Sequence, residues 1–293
     1  MTTIVAQQAI NGVVLGCLYV LVALGLTLIY GVLAQINFAH ADFVTLGAFA
    51  AYFFMHFIGA NYIAAIGVAL LVGGILGWLI NAAIFAPLRQ NRNELLPLIA
   101  TIGVSVMLQN GMLAWFGPIP YAFETPYSNR VIRIAGTFFT WQSVIIIVVS
   151  TTTIALLYGF MKFTFLGKAL RAVSQDRETA GLMGINPNHL IMLTFVLASA
   201  LAGMAGAMLA PILVLTPFAG TSVIVKAFAI VIIGGFGNVE GTILAGLIVG
   251  LIESFTTQYL DPGLIDIVVF GLLLLMLAVK PTGLISERRE ENV

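Results

Sequence analysis

Apolar positions in this chain come in long unbroken runs, neither alternating nor confined to one helical stripe. Residues 10–30, 62–85, 142–161, 190–215 and 264–279 each approach or exceed the roughly 18–20 apolar residues that cross a bilayer core of about 30 Å. Polar and glycine-rich breaks divide the chain into expected spans at about 8–30, 38–58, 61–85, 95–116, 142–161, 189–214, 218–234, 241–260 and 264–280. A transmembrane β-barrel would need alternating segments of about ten residues, and these runs do not alternate. The expected fold class is therefore all-α: a polytopic membrane protein of about 8–10 transmembrane helices, some discontinuous, forming one membrane domain over 1–293. Spans 38–58 and 218–234 each adjoin a glycine-rich or polar break. Either suits a half-helix, whose irregular backbone must be buried in protein or line a cavity.

Composition sharpens this. The chain is 60% hydrophobic and 8% charged, with mean hydropathy +1.09, so each charge is informative by its place. Arg89 and Arg92 share one loop, Lys162, Lys168, Arg171 and Arg177 another, and Lys280, Arg288 and Arg289 the tail. With these three segments on the cytoplasmic side, 9 of the 12 basic residues obey the positive-inside rule. The charge-free N-terminus is then outside and the tail, 281–293, inside. Residues 1–88 hold no Lys or Arg, unlike the basic start of a signal peptide. Arg130 and Arg133 fall in an external loop, 117–141, and Lys226 is expected near an outer helix end, where it can snorkel. In that loop RVIRI–AG–TFFTW alternates about a turn and predicts a short hairpin. The loop is either a plain connector or a ledge for an extracytoplasmic partner.

Familiar enzymatic constellations are missing. His40, His56 and His189 lie far apart without metal spacing, Cys17 is alone, and no GxSxG occurs. Gly167-Lys168 is followed by Ala169 and has no partner glycine upstream, so the chain carries no P-loop. No basic block suits nucleic acid. Any ATP must be hydrolysed by a separate subunit, and no cofactor is expected on this chain.

Few ionisable residues enter the spans, and such residues are costly and usually functional. Asp42, Glu240, Glu253 and Asp266 are the acidic candidates. Glu253 either hydrogen-bonds a neighbouring helix or belongs to a pathway. Thr101, Ser105 and Gln109 recur at four-residue spacing and share one helix face, with Asn110 beside it. The pairs Gly12/Gly16, Gly73/Gly77 and Gly246/Gly250 read as small-xxx-small packing. Segments 30–48 and 234–246 echo one another: each is small and polar, follows an inward-running span and launches an outward-running one.

Charge gathers in GKALRAVSQDRETAGLMGINPNHL, 167–190, which holds five of the chain's 12 basic and 12 acidic residues. Lys168–Val173 has good helix formers with Leu170 and Val173 on one side. Asp176 is placed to cap a second helix over 177–183, which Gly184 ends in a left-handed conformation. Asn186-Pro187 reads as N-cap and first position of the next span. A solvated connector needs neither two caps nor the apolar pair Leu182-Met183 facing water, so loop 162–188 is expected to be a cytoplasmic docking element.

Glu178-Thr179-Ala180 followed by Gly184 is similar to the EAA-x3-G core by which importer permeases contact their ATPase. Four stretches, IYGVLAQINFAHADFVTLGAF (29–49), GKALRAVSQDRETAGLMGIN (167–186), AFAIVIIGGFGNVEGTILAGLIVGLIES (227–254) and KPTGL (280–284), resemble the LivH-like permeases of high-affinity branched-chain amino-acid ABC importers. Ala41, where that family usually has glycine, and Thr282, where a basic residue is common, depart from the pattern. The resemblance implies a permease in the bacterial inner membrane. Its partners would be two cytoplasmic ATPase subunits, a second permease subunit and a periplasmic binding protein presenting leucine, isoleucine or valine. Urea, short amides and other amino acids are the alternatives. By resemblance Arg171, Asp176, Arg177, Glu178, Ala180, Gly181 and Gly184 form the coupling contact. Asn37, His40, Asp42, Gln109, Asn238, Glu240 and Glu253 are the gate and pathway candidates.

Overall fold

The computed structural model describes residues 2–59, 61–89, 95–134 and 136–285. Arg92, Arg288 and Arg289, used above for orientation, and Ala135 in the hairpin turn lie outside them. Twelve α-helices follow one another among the described residues: α1 Thr2–Leu33, α2 His40–Ile58, α3 Tyr62–Ile80, α4 Ala86–Leu88, α5 Leu95–Phe116, α6 Trp141–Phe163, α7 Phe165–Gln175, α8 Arg177–Leu182, α9 Pro187–Leu209, α10 Ala219–Gly234, α11 Val239–Tyr259 and α12 Ile265–Val279. A π-helical turn, Asn81–Phe85, joins α3 to α4, so these three pieces form one span. Among the described residues eight spans are long and apolar enough to cross a membrane. The ninth expected span is α10, whose 16 residues reach only about 24 Å. The only sheet among the described residues is the antiparallel hairpin β1 Val131–Ile134 with β2 Thr137–Thr140.

The longest helix, α1, is the axis. Leu18, Val20, Leu21, Val22, Ala23 and Leu24 are fully buried, so its middle is apolar all round because protein surrounds it on every side. Helices α9, α10 and α11 pack against it, while α5, α6 and α12 lie outside with lipophilic faces exposed. Contacts are made backbone to backbone. A Cβ on Gly250 would sit 2.3 Å from Gly16 N, one on Gly47 2.2 Å from Gly203 O, and one on Gly206 1.9 Å from Val44 O. The glycine pairs noted above are therefore packing notches between α1 and α11 and between α3 and α9.

Helix α2 is complete but starts deep. Gly47 of α2 meets Gly203 of α9, and the two helices run parallel, so His40 lies about nine residues, or about 14 Å, further into the bundle than Pro187. The α1 contact agrees: His40 Nε2 is 3.1 Å from Val22 O, well before α1 ends at Leu33. Segment 34–39 thus folds back into the protein, where irregular backbone is tolerated. Helix α10 begins against the first turns of α2: Thr45 Oγ1 accepts from Gly220 N at 2.9 Å, supplying the cap that Phe218 lacks. By contrast Asn238, which starts α11, lies level with Gly31 near the end of α1. The two echoing segments therefore launch their helices from different depths.

At the opposite end the hairpin is tied down twice. Gln7 donates to Phe138 O and accepts from Phe138 N, at 2.9 and 2.8 Å, and Tyr121 and Leu215 exchange backbone hydrogen bonds. The described parts of loop 117–141 are thereby joined to α1 and to the α9–α10 connection.

Replacing Gly206 by Leu should separate α2 from α9 and destabilise the protein by about 1–3 kcal/mol or more, read as a lower melting temperature in detergent. Gly67→Leu, where no atom lies within 4 Å of the added Cβ, should leave that temperature unchanged.

Candidate functional site

The charged segment folds as a small platform at the basic end of the bundle. Thr164 caps α7 by accepting from Gly167 N at 3.0 Å. Helix α7 then lays Ala169, Leu170 and Val173 against Ala180 of α8 and Leu190 of α9, making a second hydrophobic core separate from that of the bundle. Arg171 donates to the carbonyl of Met161 in the last turn of α6, satisfying a helix-end acceptor with a cation. Asp176 caps α8 with Oδ1, which accepts from Glu178 N at 2.9 Å and Thr179 N at 3.0 Å. Hydrogen bonds from the Thr179 hydroxyl, then from its backbone and that of Glu178, hold the Asp176 carboxyl below the ordinary carboxylate range.

The platform ends as abruptly as it starts. Gly184 adopts φ 83°, and Ile185 N reaches back to Ala180 O at 3.1 Å, closing the C-terminal turn that a left-handed glycine permits. Asn186 then caps α9 through Asn188 N and His189 N at 3.1 and 3.3 Å. Arg177 Nη2 donates to Asn188 Oδ1 at 3.1 Å and braces α8 on α9. Ala180 is buried, while Glu178, Gly181, Leu182 and Met183 face outward, Leu182 with 88% and Met183 with 79% of its surface exposed. An exposed apolar tip rimmed by charge is the kind of surface that marks protein or membrane interaction sites.

The pathway candidates divide into three places. Asn238 and Glu240 sit at the start of α11 beside the platform. There Asn238 caps through Gly241 N at 2.7 Å, and Glu240 accepts from Tyr158 Oη at 2.8 Å. They line a cavity of about 420 Å³ together with Arg171 and Lys162, whose Nζ donates to the same Tyr158 hydroxyl at 3.0 Å. Asn37, His40 and Asp42 lie at the deep start of α2. Asn37 Oδ1 accepts from Ala39 N at 3.1 Å, His40 faces α1, and Asp42 faces α5, where Gln109 Nε2 donates to Asp42 at 3.0 Å and to Ser105 at 3.1 Å. Of the polar α5 stripe, Ser105 and Gln109 thus reach a buried carboxylate, whereas Thr101 bonds its own backbone at Leu98 O. Asn37 Nδ2, His40 Nδ1 and Asp42 Oδ2 have no hydrogen-bond partner.

Glu253 is elsewhere again, and it alters the expectation for Lys226. That lysine does not snorkel from a helix end: it lies midway along α10, with Nζ 2.6 Å from Glu253 Oε1 and 3.3 Å from Tyr19 Oη. In lipid, neutralisation by a carboxylate on the adjacent helix outweighs reaching for a distant interface. Sequence reasoning did not see this pair, because only the packing of α10 on α11 joins residues 226 and 253. It also missed the π turn, where buried Asn81 accepts from Arg89 Nη1 at 2.8 Å.

A family model described as the permease component of branched-chain amino acid transport systems matches residues 8–277. The chain belongs to this permease family. A family member named high-affinity branched-chain amino acid transport system permease protein LivH, from Salmonella typhimurium, is 33% identical over 98% of this chain and 97% of its own. BraD of Pseudomonas aeruginosa, named in the same way, is 32% identical over 98% and 97%. A second kind of permease, LivM of Escherichia coli, is 23% identical over 98% of this chain and 72% of its own. No solved structure matches the chain. Within this family of permeases, the chain is a multi-pass membrane protein whose charged platform hangs from one end of the bundle.

The Asp176 cap carries a pH dependence. Its folded-state pKa is depressed, so its contribution to α8 is complete above the ordinary Asp value near 3.9 and is lost as pH falls through the lower folded value. Hydrogen exchange at Glu178 and Thr179 should therefore speed up several-fold in Asp176→Ala at neutral pH. Asp176→Ser, which also caps, should preserve protection.

Proposed function

We propose that this chain is the membrane permease of an ATP-driven importer that moves branched-chain amino acids delivered by an extracytoplasmic binding protein. The observation that carries this is the α7–α8 platform. It is a twice-capped, separately packed element that presents Leu182 and Met183 to solvent, in a chain with no nucleotide-binding motif of its own. The basic end faces the cytoplasm, with Lys162, Lys168, Arg171, Arg177 and Lys280 on that side, so the N-terminus is outside. Two ATPase subunits grip two such platforms, one on this chain and one on a second permease subunit. The family's having both LivH-type and LivM-type members supports a mixed pair.

Mechanically, ATP-driven closure of the ATPases pushes on 176–184. The load passes from Ala180 through Leu170 and Val173 into Leu190 of α9, and from Arg171 into the end of α6. Because α9 is notched into α2 and α3 at glycine contacts, a push on its start moves those helices as one body. The deep start of α2, with Asp42 and Gln109 across from one another, is then the element whose opening alternates access. The sparse charge of the bundle suits an aliphatic side chain in transit, while helix starts and the Asp42 carboxylate serve the zwitterionic backbone. The ledge at 117–141 receives the binding protein. No cofactor is held by this chain; ATP is hydrolysed on the partner subunits.

The test is reconstitution with candidate ATPases and binding proteins, measuring ATP-dependent uptake of leucine against urea and polar amino acids. Asp176, Arg177 and Glu178 replaced together by Ala should insert normally yet lose at least about ten-fold in uptake, a change of about 1.4 kcal/mol in coupling. Full ATP-driven uptake by that triple variant would remove the coupling role of α8, and uptake that persists without ATP would make the protein a passive carrier.

A further inference from the structure

The end of the third span and the start of α9 enclose a cleft that the transport cycle described above does not use. Its volume is about 690 Å³. One wall is the π turn and α4, ending at Arg89. The π turn directs Asn81 inward, where it is 2% exposed, and Arg89 folds back to donate to it. The other wall carries Arg177, Asn188 and His189, with Arg177 braced on Asn188. Both guanidinium groups therefore lean on neutral carboxamide oxygens.

No carboxylate of a described residue answers them. Among the described residues the one ion pair is Lys226–Glu253, in a different part of the bundle, so neither arginine has an acidic oxygen of a described residue within 4.0 Å. Arg89 Nε is buried and has no hydrogen-bond partner. Burial, followed by the charge of Arg177, pushes the Arg89 guanidinium down to about 10, so it remains a cation at neutral pH while opposed by its neighbour. The positive end of α9, a helix of 23 residues, opens on the same space. Two forked cations beside the positive end of a helix, with no carboxylate among the described residues to answer them, are complementary to a tetrahedral oxyanion that several guanidinium N–H groups can grip at once.

The rest of the lining says which oxyanion. Ala82, Ala86, Pro87 and Met192 give the cleft an apolar flank, and one turn further into the span Trp78 and Leu79 are 47% and 45% exposed on α3. An aromatic at that level marks the boundary between headgroups and acyl chains. A free phosphate ion has no use for an apolar flank, whereas a phospholipid brings phosphate and hydrocarbon together.

We propose that this cleft is a binding site for the phosphate of an anionic phospholipid, held between Arg89 and Arg177 with its acyl chains along Ala82, Met192 and the exposed face of α3. Arg177 belongs to α8, so an occupied site ties the coupling platform to the end of the third span. Membrane composition then adjusts how firmly α8 is held. The inference rests on the basic end lying at a membrane surface and is independent of which solute is carried or which ATPase docks.

The test uses the full chain, with its partner subunits where these are needed for purification, in nanodiscs of phosphatidylcholine with and without phosphatidylglycerol. Native mass spectrometry reads the lipid retained, and hydrogen exchange reads α8. Wild type should retain phosphatidylglycerol preferentially and protect 177–182 when it is present. Arg89→Gln should lose roughly five-fold in that preference, and Arg89→Lys, which keeps the charge without the fork, should recover part of it. A melting temperature in phosphatidylcholine alone separates misfolding from lost binding, and Arg89→Lys keeps the comparison open if Arg89→Gln does not fold. Inorganic phosphate added to phosphatidylcholine discs distinguishes the two sources. Protection equal to that from phosphatidylglycerol, with no selective lipid retention, overturns the lipid site in favour of a free anion. Equal phosphatidylglycerol retention by wild type and Arg89→Gln overturns the proposal outright. So does protection of the cleft by the ATPase alone, which would make it a protein contact.

Discussion

Helices in lipid gain little by hiding apolar surface from an apolar solvent, so what holds this bundle together is how closely their backbones can approach. The glycine notches supply that approach. Gly12 and Gly16 let α1 lie against Gly246 and Gly250 of α11, while Gly47, Gly73, Gly203 and Gly206 lock α2, α3 and α9 together. Where a Cβ would meet a backbone atom at about 2 Å, no side chain fits and no sliding is tolerated. The depth of every other element follows from those registers, including the start of α2 well inside the protein and the seat of α10 upon it.

That rigidity gives the charged segment its meaning. A loop attached to loosely packed helices would absorb a push. Here α8 is braced on α9 by Arg177 and Ala180, α7 is pinned to α6 by Arg171, and α9 is among the most tightly notched helices in the bundle. In the proposed cycle these contacts are what would carry a push at Leu182 and Met183 into the core. Three buried polar atoms without a partner, on Asn37, His40 and Asp42, gather at the far side of those same contacts.

Much of the platform was legible along the chain. Asp176, Gly184 and Asn186-Pro187 act on neighbours two to five residues away, so caps and stops can be read locally and appear where expected. The hairpin at 131–140 was equally local. Lys226 was misplaced because its partner, Glu253, is on another helix and nothing near residue 226 announces it. The same holds for Asp42 with Gln109, which are 67 residues apart. Arg89 was counted only as a loop charge and Arg177 as a loop charge and coupling residue, and nothing along the chain joined the two, since their sharing of one cleft depends on a π turn that no residue type signals.

The sequence by itself determined that the chain is a helical membrane protein, roughly where its spans lie, which segment gathers charge, and which family it belongs to. Those properties depend on hydropathy and on hydrogen bonds between residues close along the chain. Only the tertiary structure decided depth, facing and partnership: that α2 begins inside the bundle, that Lys226 is neutralised rather than exposed, and that Arg89 meets Arg177. The reason is the uniformity of the composition. Spans apolar on every side carry no stripe to say which face turns inward, so rotation and register are settled by steric contact between distant glycines, and polar partners are assigned only once those contacts have formed.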